Sequence, residues 1–218
     1  MSSGPCPVIV FAKAPVPGQV KTRLIPLLGE SGAACLHERL AWHSLDRALH
    51  AGVGPVMLWC SPSTDHPFFR HCSESFQVSL HPQRGRDLGE RMAQAFRETL
   101  NRADAALLMG TDSPNLTVND LREASLCLHQ NKDAVIGPAE DGGYVLIGLR
   151  RFAPELFTDI SWGTHAVLEQ TRDRFLNLGW EVHELSPRWD VDRPEDVERL
   201  KREGYAERFA LTDLLSAL

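Results

Sequence analysis

Short apolar runs alternate along this chain with segments whose apolar residues recur at helical spacing, and that alternation confines it to the α/β class. Val8-Ile9-Val10-Phe11 is rich in β-branching and free of charge, as a strand buried on both faces requires. Leu36, Leu40, Leu45, Ala48 and Leu49 then recur near the 3.6-residue period and stop at Gly52, which predicts an amphipathic helix. Val56 to Cys60 reads as a second strand, the stretch SPSTDHPFFRHC as turns, and Phe76 to Leu80 as a third strand. A helix from about Leu88 carries Met92, Phe96 and Leu100, and Ala106 to Gly110 makes the fourth strand. Thr117 caps a helix through Leu121, Leu126 and Leu128, followed by a strand at Ala134 to Gly137. The run EDGGYVLIGL, a helix from about His165 to Leu178, a strand near Val182 and a helix after DVDRPED complete the series. No repeat, low-complexity tract or linker interrupts it, so one domain over residues 1–218 is expected.

The first strand runs into AKAPVPGQVKTRL, which is not packing sequence. Pro15 and Pro17 fix φ and remove donors, Gly18 permits close approach of the backbone, and Lys13, Lys21 and Arg23 bring positive charge. A rigid cationic loop at the end of a buried strand suits a phosphate. It is not a P-loop, because Val20 stands where that motif needs glycine before the lysine. Neither GxGxxG after the first strand nor GxSxG is present, so dinucleotide binding and an elbow-type nucleophile lose their signatures.

Charge narrows the partners. The 218 residues carry a formal charge of −6 with both signs interspersed, which argues against nucleic-acid coating or a polybasic membrane patch. No apolar run approaches the roughly 20 residues of a membrane helix, and MSSGPCPV lacks a basic leader, so a cytoplasmic protein is expected. The five cysteines include no CxxC pair, and the nine histidines show no HExxH spacing. Free buried thiols and structural or surface histidines are the expectation.

In a largely parallel sheet, ligands bind beyond the carboxyl ends of the strands. The loops there, or ahead of the last helix, supply Lys13, Lys21, Arg23, Asp112, Glu140, Asp141, Asp190 and Asp192. Cations and carboxylates on one rim suggest a phosphate ester and a divalent metal, since magnesium is commonly held by one or two carboxylates with phosphates and waters. Each acid also has a structural reading. Asp192 with Pro194 and Glu195 spells a capping box, Asp112 suits an Asx-turn, and Gly142-Gly143 suits a bulge or tight turn. Trp162 and Trp189 are expected in core or rim packing.

Taken together, AKAPVPGQVKTRL, DLGERM (Asp87 to Met92), GTDSPNL, EDGGYVLIG, ISWGT and DVDRPEDVERL resemble the bacterial DUF2064 family, in order from about Val8 to Leu200. The resemblance implies the nucleotide-diphospho-sugar transferase (GT-A) fold, a three-layer α/β/α arrangement around a mixed, mostly parallel sheet, with the nucleotide over the amino-terminal half. Some members are described as arsenosugar-biosynthesis glycosyltransferases. More distantly the chain is similar to nucleotidyltransferases such as the phospholactate and molybdenum cofactor guanylyltransferases. By that resemblance Lys21, Arg23 and Asp112 are the catalytic candidates, with Lys13 and Gly18 beside them against the phosphates. Gly85, Asp87, Leu88 and Gly89 fall in the base-reading loop, Asp141, Gly142 and Gly143 on the acceptor side, and Asp112 and Asp192 on Mg2+ or Mn2+. Arg193 stands where threonine is common in relatives, and the first loop keeps one glycine where relatives carry more. The implied partners are a nucleotide or nucleotide sugar and a small-molecule acceptor. Glycosyl transfer is the first functional reading, nucleotidyl transfer from a nucleoside triphosphate the second, and a non-catalytic nucleotide-binding module the third.

Overall fold

A computed structural model of the chain describes residues 4–209 and residue 211. β1 (Val8–Lys13) is followed by the cationic loop, a 3-10 turn at Thr22–Leu24 and the long helix α1 (Ile25–Ala51), which is broken at Gly29. Then come β2 (Val56–Ser61), α2 (Pro67–Phe76), β3 (Ser79–Pro82), α3 (Leu88–Leu100), β4 (Ala106–Met109), α4 (Val118–His129), β5 (Ala134–Pro138) and β6 (Tyr144–Leu149). A 3-10 turn at Pro154–Phe157, α5 (Val167–Asn177), β7 (Val182–Glu184), α6 (Pro194–Arg202) and α7 (Tyr205–Arg208) finish it. The strands form one seven-stranded sheet in the order β3-β2-β1-β4-β6-β5-β7. Only β6 runs against its neighbours, pairing antiparallel with β4 and β5. The mixed, mostly parallel sheet expected from the sequence is therefore the observed one.

Alternation along β1 divides the core. Val8 and Val10 face a layer containing Ala41, Leu45, Phe69 and Leu121 from α1, α2 and α4. Ile9 and Phe11 face the opposite layer with Met92, Phe96, Leu168 and Phe175 from α3 and α5. Both faces of the strand are buried, as its uniformly apolar composition requires. A third cluster joins Leu24, Leu36 and Leu40 to Trp189, Val191, Val197, Leu200 and Phe209. It fastens the end of the cationic loop to the segment entering α6. Among the described residues no helix is long and apolar enough to cross a membrane.

Three expectations need correction. Residues 67–76, read as turns, form α2. His66 caps it through Nδ1, which accepts from the Phe68 N–H at 3.2 Å, Pro67 occupies the first turn, and Phe68, Phe69 and Cys72 bury one face. The third strand consequently starts later than expected, at Ser79, after Gln77 closes the helix in a left-handed conformation with φ 54°. Nor does Asp192 cap α6 with Glu195. The Asp196 carboxylate accepts from the N–H groups of Asp192 and Arg193 at 2.9 and 2.7 Å, which puts the cap at Arg193 and leaves the Asp192 side chain free of that duty. All five cysteines are free, with Cys6, Cys60 and Cys72 buried as expected but Cys35 exposed.

Candidate active site

The fold brings residues 13, 21, 112 and 190 to one place because β1 and β4 are adjacent and parallel, with Met109 opposite Val10, so the residues that follow β4 run beside the last residues of β1 towards Lys13. A cleft of about 390 Å³ opens there, lined by Lys13, His37, Gln83, Leu88, Arg91, Asp112 and Asp190 among others. Lys21 sits beneath it. Its side chain is only 5% exposed, and its Nζ donates to Asp112 Oδ1 and, at 2.6 Å, to the carbonyl of Val191. The Lys21 backbone is itself left-handed, φ 47° and ψ 41°, which turns the chain from the loop into the 3-10 turn.

The loop after β4 and the segment before α6 are laced together independently of the lysine. Val191 N–H donates to the Asp112 carbonyl at 2.9 Å, and Ser113 Oγ donates to the Trp189 carbonyl at 2.9 Å. The Asn115 side-chain oxygen accepts from Trp189 N–H at 3.2 Å. Further along, Arg188 forms a two-point pair with Asp120, at 3.0 and 2.5 Å, on the first turn of α4. Asp112 and Asp190 are thus held by main-chain and buried polar contacts rather than by their own carboxylates. Asp112 is not an Asx-turn residue; its side chain serves Lys21.

Electrostatics separate the two cleft acids. Burial opposes ionisation of Asp112, but the Lys21 ammonium and His37 outweigh it and hold the carboxyl below the usual carboxylate range. Nearly half of that side chain, 48%, still opens to the cleft, so it can take a ligand beside Lys21. Asp190 moves the other way: burial first, then the charges of Asp112 and Asp141, push it up to about 7. In the metal-free protein this group holds its proton more tightly when folded than at its ordinary 3.8, so its contribution to stability is complete at low pH and fades as pH rises from about 4 to about 7. Thermal melting should therefore show wild type losing ground to Asp190→Asn between mildly acidic and mildly alkaline buffer. A difference constant across that range would contradict the assignment.

His37, from α1, went unassigned in the sequence. It is buried, its Nε2 donates to the Lys13 carbonyl at 2.9 Å, burial pushes its pKa down, and its Nδ1 lies 3.9 Å from Asp112 Oδ1. Its one sequence signal is position, four residues after Ala33 and four before Ala41 on the buried face of α1. Gln83 and Arg91 were likewise not singled out, and Asp190 was counted among the acids without a role.

The other expected residues lie at different depths. Lys13 and Leu88 line the cleft, and Lys13 Nζ donates to the Gln19 carbonyl at 2.7 Å, bracing the loop that holds Gly18. Arg23 is exposed and ion-paired with Asp192 on the rim, away from the cleft lining. Asp87 caps α3 by accepting from Glu90 N–H at 2.8 Å, and Gly85 precedes it. Gly89 is a packing residue, since a Cβ there would meet the Phe157 carbonyl and the Trp162 indole at 2.5 Å. Asp141, Gly142 and Gly143 make the turn between β5 and β6, with Asp141 Oδ1 accepting from Gly143 N–H at 2.9 Å. Gly142 has φ 91° and lies against His165, whose carbonyl a Cβ would approach to 2.3 Å. That turn is therefore clamped to the chain entering α5.

Divalent ions of the magnesium type take oxygen ligands, with substrate phosphates completing the shell. Asp112 and Asp190 fit that donor set, because both line the cleft and their mutual repulsion is relieved by a positive charge between them. No group of three His, Cys, Asp or Glu side chains suited to a metal occurs among the described residues, so a bound phosphate would have to supply the remaining oxygens.

Residues 44–164 match the family described as uncharacterized protein conserved in bacteria (DUF2064). A solved structure from Desulfovibrio desulfuricans G20, provisionally assigned as a nucleotide-diphospho-sugar transferase, is 31% identical, with a TM-score of 0.85 over 97% of this chain and 94% of that one. Two more distant structures share the fold. One is CMP:2-keto-3-deoxy-manno-octonic acid synthetase complexed with CTP, at 13% identity and TM-score 0.56 over 94% of this chain and 100% of that one. The other is glucosyl-3-phosphoglycerate synthase from Mycobacterium tuberculosis with Mn2+, uridine-diphosphate and glucosyl-3-phosphoglycerate, at 13% and 0.53 over 98% and 81%. No curated protein sequence matches the chain.

Proposed function

The chain belongs to the DUF2064 family, and we propose that it is a metal-dependent transferase that acts on a nucleotide sugar. The observation that carries this reading is the buried Lys21 ammonium, bonded to Asp112 and to the Val191 carbonyl, at the foot of a cleft shared with Asp190. A departing nucleoside diphosphate accumulates negative charge, and fixed cations in a desolvated site stabilise it without reorganising. Lys21 supplies one such charge, and Lys13 on the lining a second. Asp112 and Asp190 would hold Mg2+ or Mn2+, which when bound supplies Lewis-acid neutralisation of the phosphates. Arg23 and Asp192 fix the outer edge of the loop through their ion pair. The acceptor enters past Asp141, Gly142 and Gly143, whose turn is held in place by His165.

Nucleotidyl transfer is the second reading, and the charge on the first loop supports it. Lys13 on the lining and Lys21 beneath it, together with a bound metal ion, would serve the pyrophosphate released from a nucleoside triphosphate as well as a departing diphosphate. Product analysis separates the two. Incubation with nucleotide sugars and Mn2+ should release nucleoside diphosphate, whereas nucleoside triphosphates with sugar phosphates should release pyrophosphate only if the second reading holds. Thermal stabilisation by nucleotide with no product in either assay would identify a binding module instead.

A further inference from the structure

A second, smaller cavity of about 210 Å³ lies where α1, the start of α4 and α7 meet. Arg47 of α1 lines it and is only 7% exposed, yet it makes no ion pair with a carboxylate among the described residues. Its Nη1 donates to the Ser113 carbonyl at 3.3 Å and its Cζ lies 5.3 Å from the centre of the Phe209 ring, while Nη2 is buried with no hydrogen-bond partner among the described residues. Asp46, its neighbour on α1, is turned to His50 Nδ1 at 3.3 Å. A buried guanidinium without a close counter-charge is costly. Burial, and then the charge of Arg208, push the Arg47 pKa down to about 10, the direction expected of a cation placed where its surroundings disfavour it.

The rest of the lining adds donors. Arg208 carries its guanidinium carbon 5.9 Å from the centre of the Tyr205 ring and makes no ion pair among the described residues. The Asn115 oxygen is committed to the Trp189 N–H at 3.2 Å, which leaves the NH2 end of that amide unbonded. The amino end of α4, a helix of 12 residues, closes the cavity through Thr117, Val118 and Asn119, where free N–H groups and the helix dipole favour an anion. The acid of that first turn does not cancel the field, because the Asp120 carboxylate is spent on Arg188 and Thr117. Two cations and a helix start therefore converge on a space with no anion among the described residues to meet them.

We propose that this cavity binds a phosphate group, free or as the monoester of a small molecule. Two guanidinium charges suit a dianion, and the planar guanidinium fork bonds phosphate oxygens two at a time. The volume lies below the roughly 300 Å³ at which pockets begin to enclose drug-sized ligands, so a whole nucleotide is too large to be buried there. The site is separate from the catalytic cleft, since no residue lines both. One loop joins them: Arg47 bonds the carbonyl of Ser113, next to Asp112, so an anion that holds Arg47 also braces the loop after β4.

The test is thermal protection, measured without divalent metal at constant ionic strength, by inorganic phosphate and by glycerol 3-phosphate, with acetate as the control anion. Phosphate should protect the wild type and acetate should not, and whichever of the two phosphates protects at the lower concentration identifies the form that binds. Arg208→Gln should weaken the affinity about tenfold, the effect of one charge-assisted hydrogen bond, and Arg47→Met should abolish the protection. Lys21→Met should keep it, because that lysine belongs to the cleft. The inference is overturned if neither phosphate protects the wild type, if acetate protects equally, or if protection survives either arginine substitution unweakened. Loss of protection in Lys21→Met would put the anion in the cleft and overturn it as well. If Arg47→Met does not fold, Arg208→Gln decides alone, since that side chain is exposed.

Discussion

Replacing Asp112 with asparagine is expected to lower turnover by a factor of about 10³ or more, the scale on which preorganised electrostatic groups act. The substitution removes a metal ligand and, at the same stroke, the counter-charge of Lys21. The ammonium is 5% exposed and is left with only neutral acceptors, the asparagine oxygen and the Val191 carbonyl. Mn2+-dependent nucleotide binding, followed by calorimetry, should be lost with turnover. Circular dichroism should be unchanged, because Asp112 is anchored through its main chain to Val191. Lys21→Met is the companion variant. It should weaken nucleotide binding without abolishing metal dependence and should raise the Asp112 pKa, since the lysine is the largest influence holding it down. If either variant binds nucleotide and turns over as the wild type does, the cleft is not where the chemistry happens.

Arg188→Leu is expected to produce the largest loss of stability, about 3 to 5 kcal/mol, the range seen when one partner of a buried ion pair is removed. For a chain of this size that corresponds to roughly 10 °C of melting temperature. Asp120, 8% exposed at its side chain, would be left charged with only the N–H and hydroxyl of Thr117 to satisfy it. Burial alone would raise the Asp120 pKa, but the bonds from Arg188 and Thr117 prevail and depress it. Its contribution is therefore complete above the unfolded value near 3.9 and is lost only as pH falls through the lower folded value. Urea melts should show a constant gap between wild type and variant from pH 5 to pH 8, closing in stronger acid. A gap below about 1 kcal/mol at neutral pH would show that the pair behaves as a surface contact.

Much of this architecture was legible because it rests on periodicity. β1 is apolar on both faces, and the loops that follow β1 and β4 carry charge where interior positions cannot. The basic loop and Asp112 therefore stand out before any coordinates. Other features were hidden by equivalence. Asp190 and Asp192 flank buried Val191, so spacing cannot say which faces the cleft; in the fold Asp190 lines it and Asp192 pairs with Arg23. Asp192 and Asp196 offer competing frames for the start of α6, and only main-chain hydrogen bonds choose between them. Helix α2 was masked by Pro, Ser and His in a short run whose apolar face acquires meaning only against the sheet. His37 looked like any core histidine until α1 carried it beside the end of β1.

The cluster that joins Leu24, Leu36 and Leu40 to Trp189, Val191, Val197 and Phe209 makes the cleft depend on a segment that lies beyond the sheet in the chain. A chain emerging from the ribosome can lay down all seven strands by Glu184 and still lack the carbonyl that steadies Lys21 and the acid that completes the carboxylate pair. The strands alone therefore make an incomplete cleft, and the segment between β7 and α6 supplies its missing acid and carbonyl.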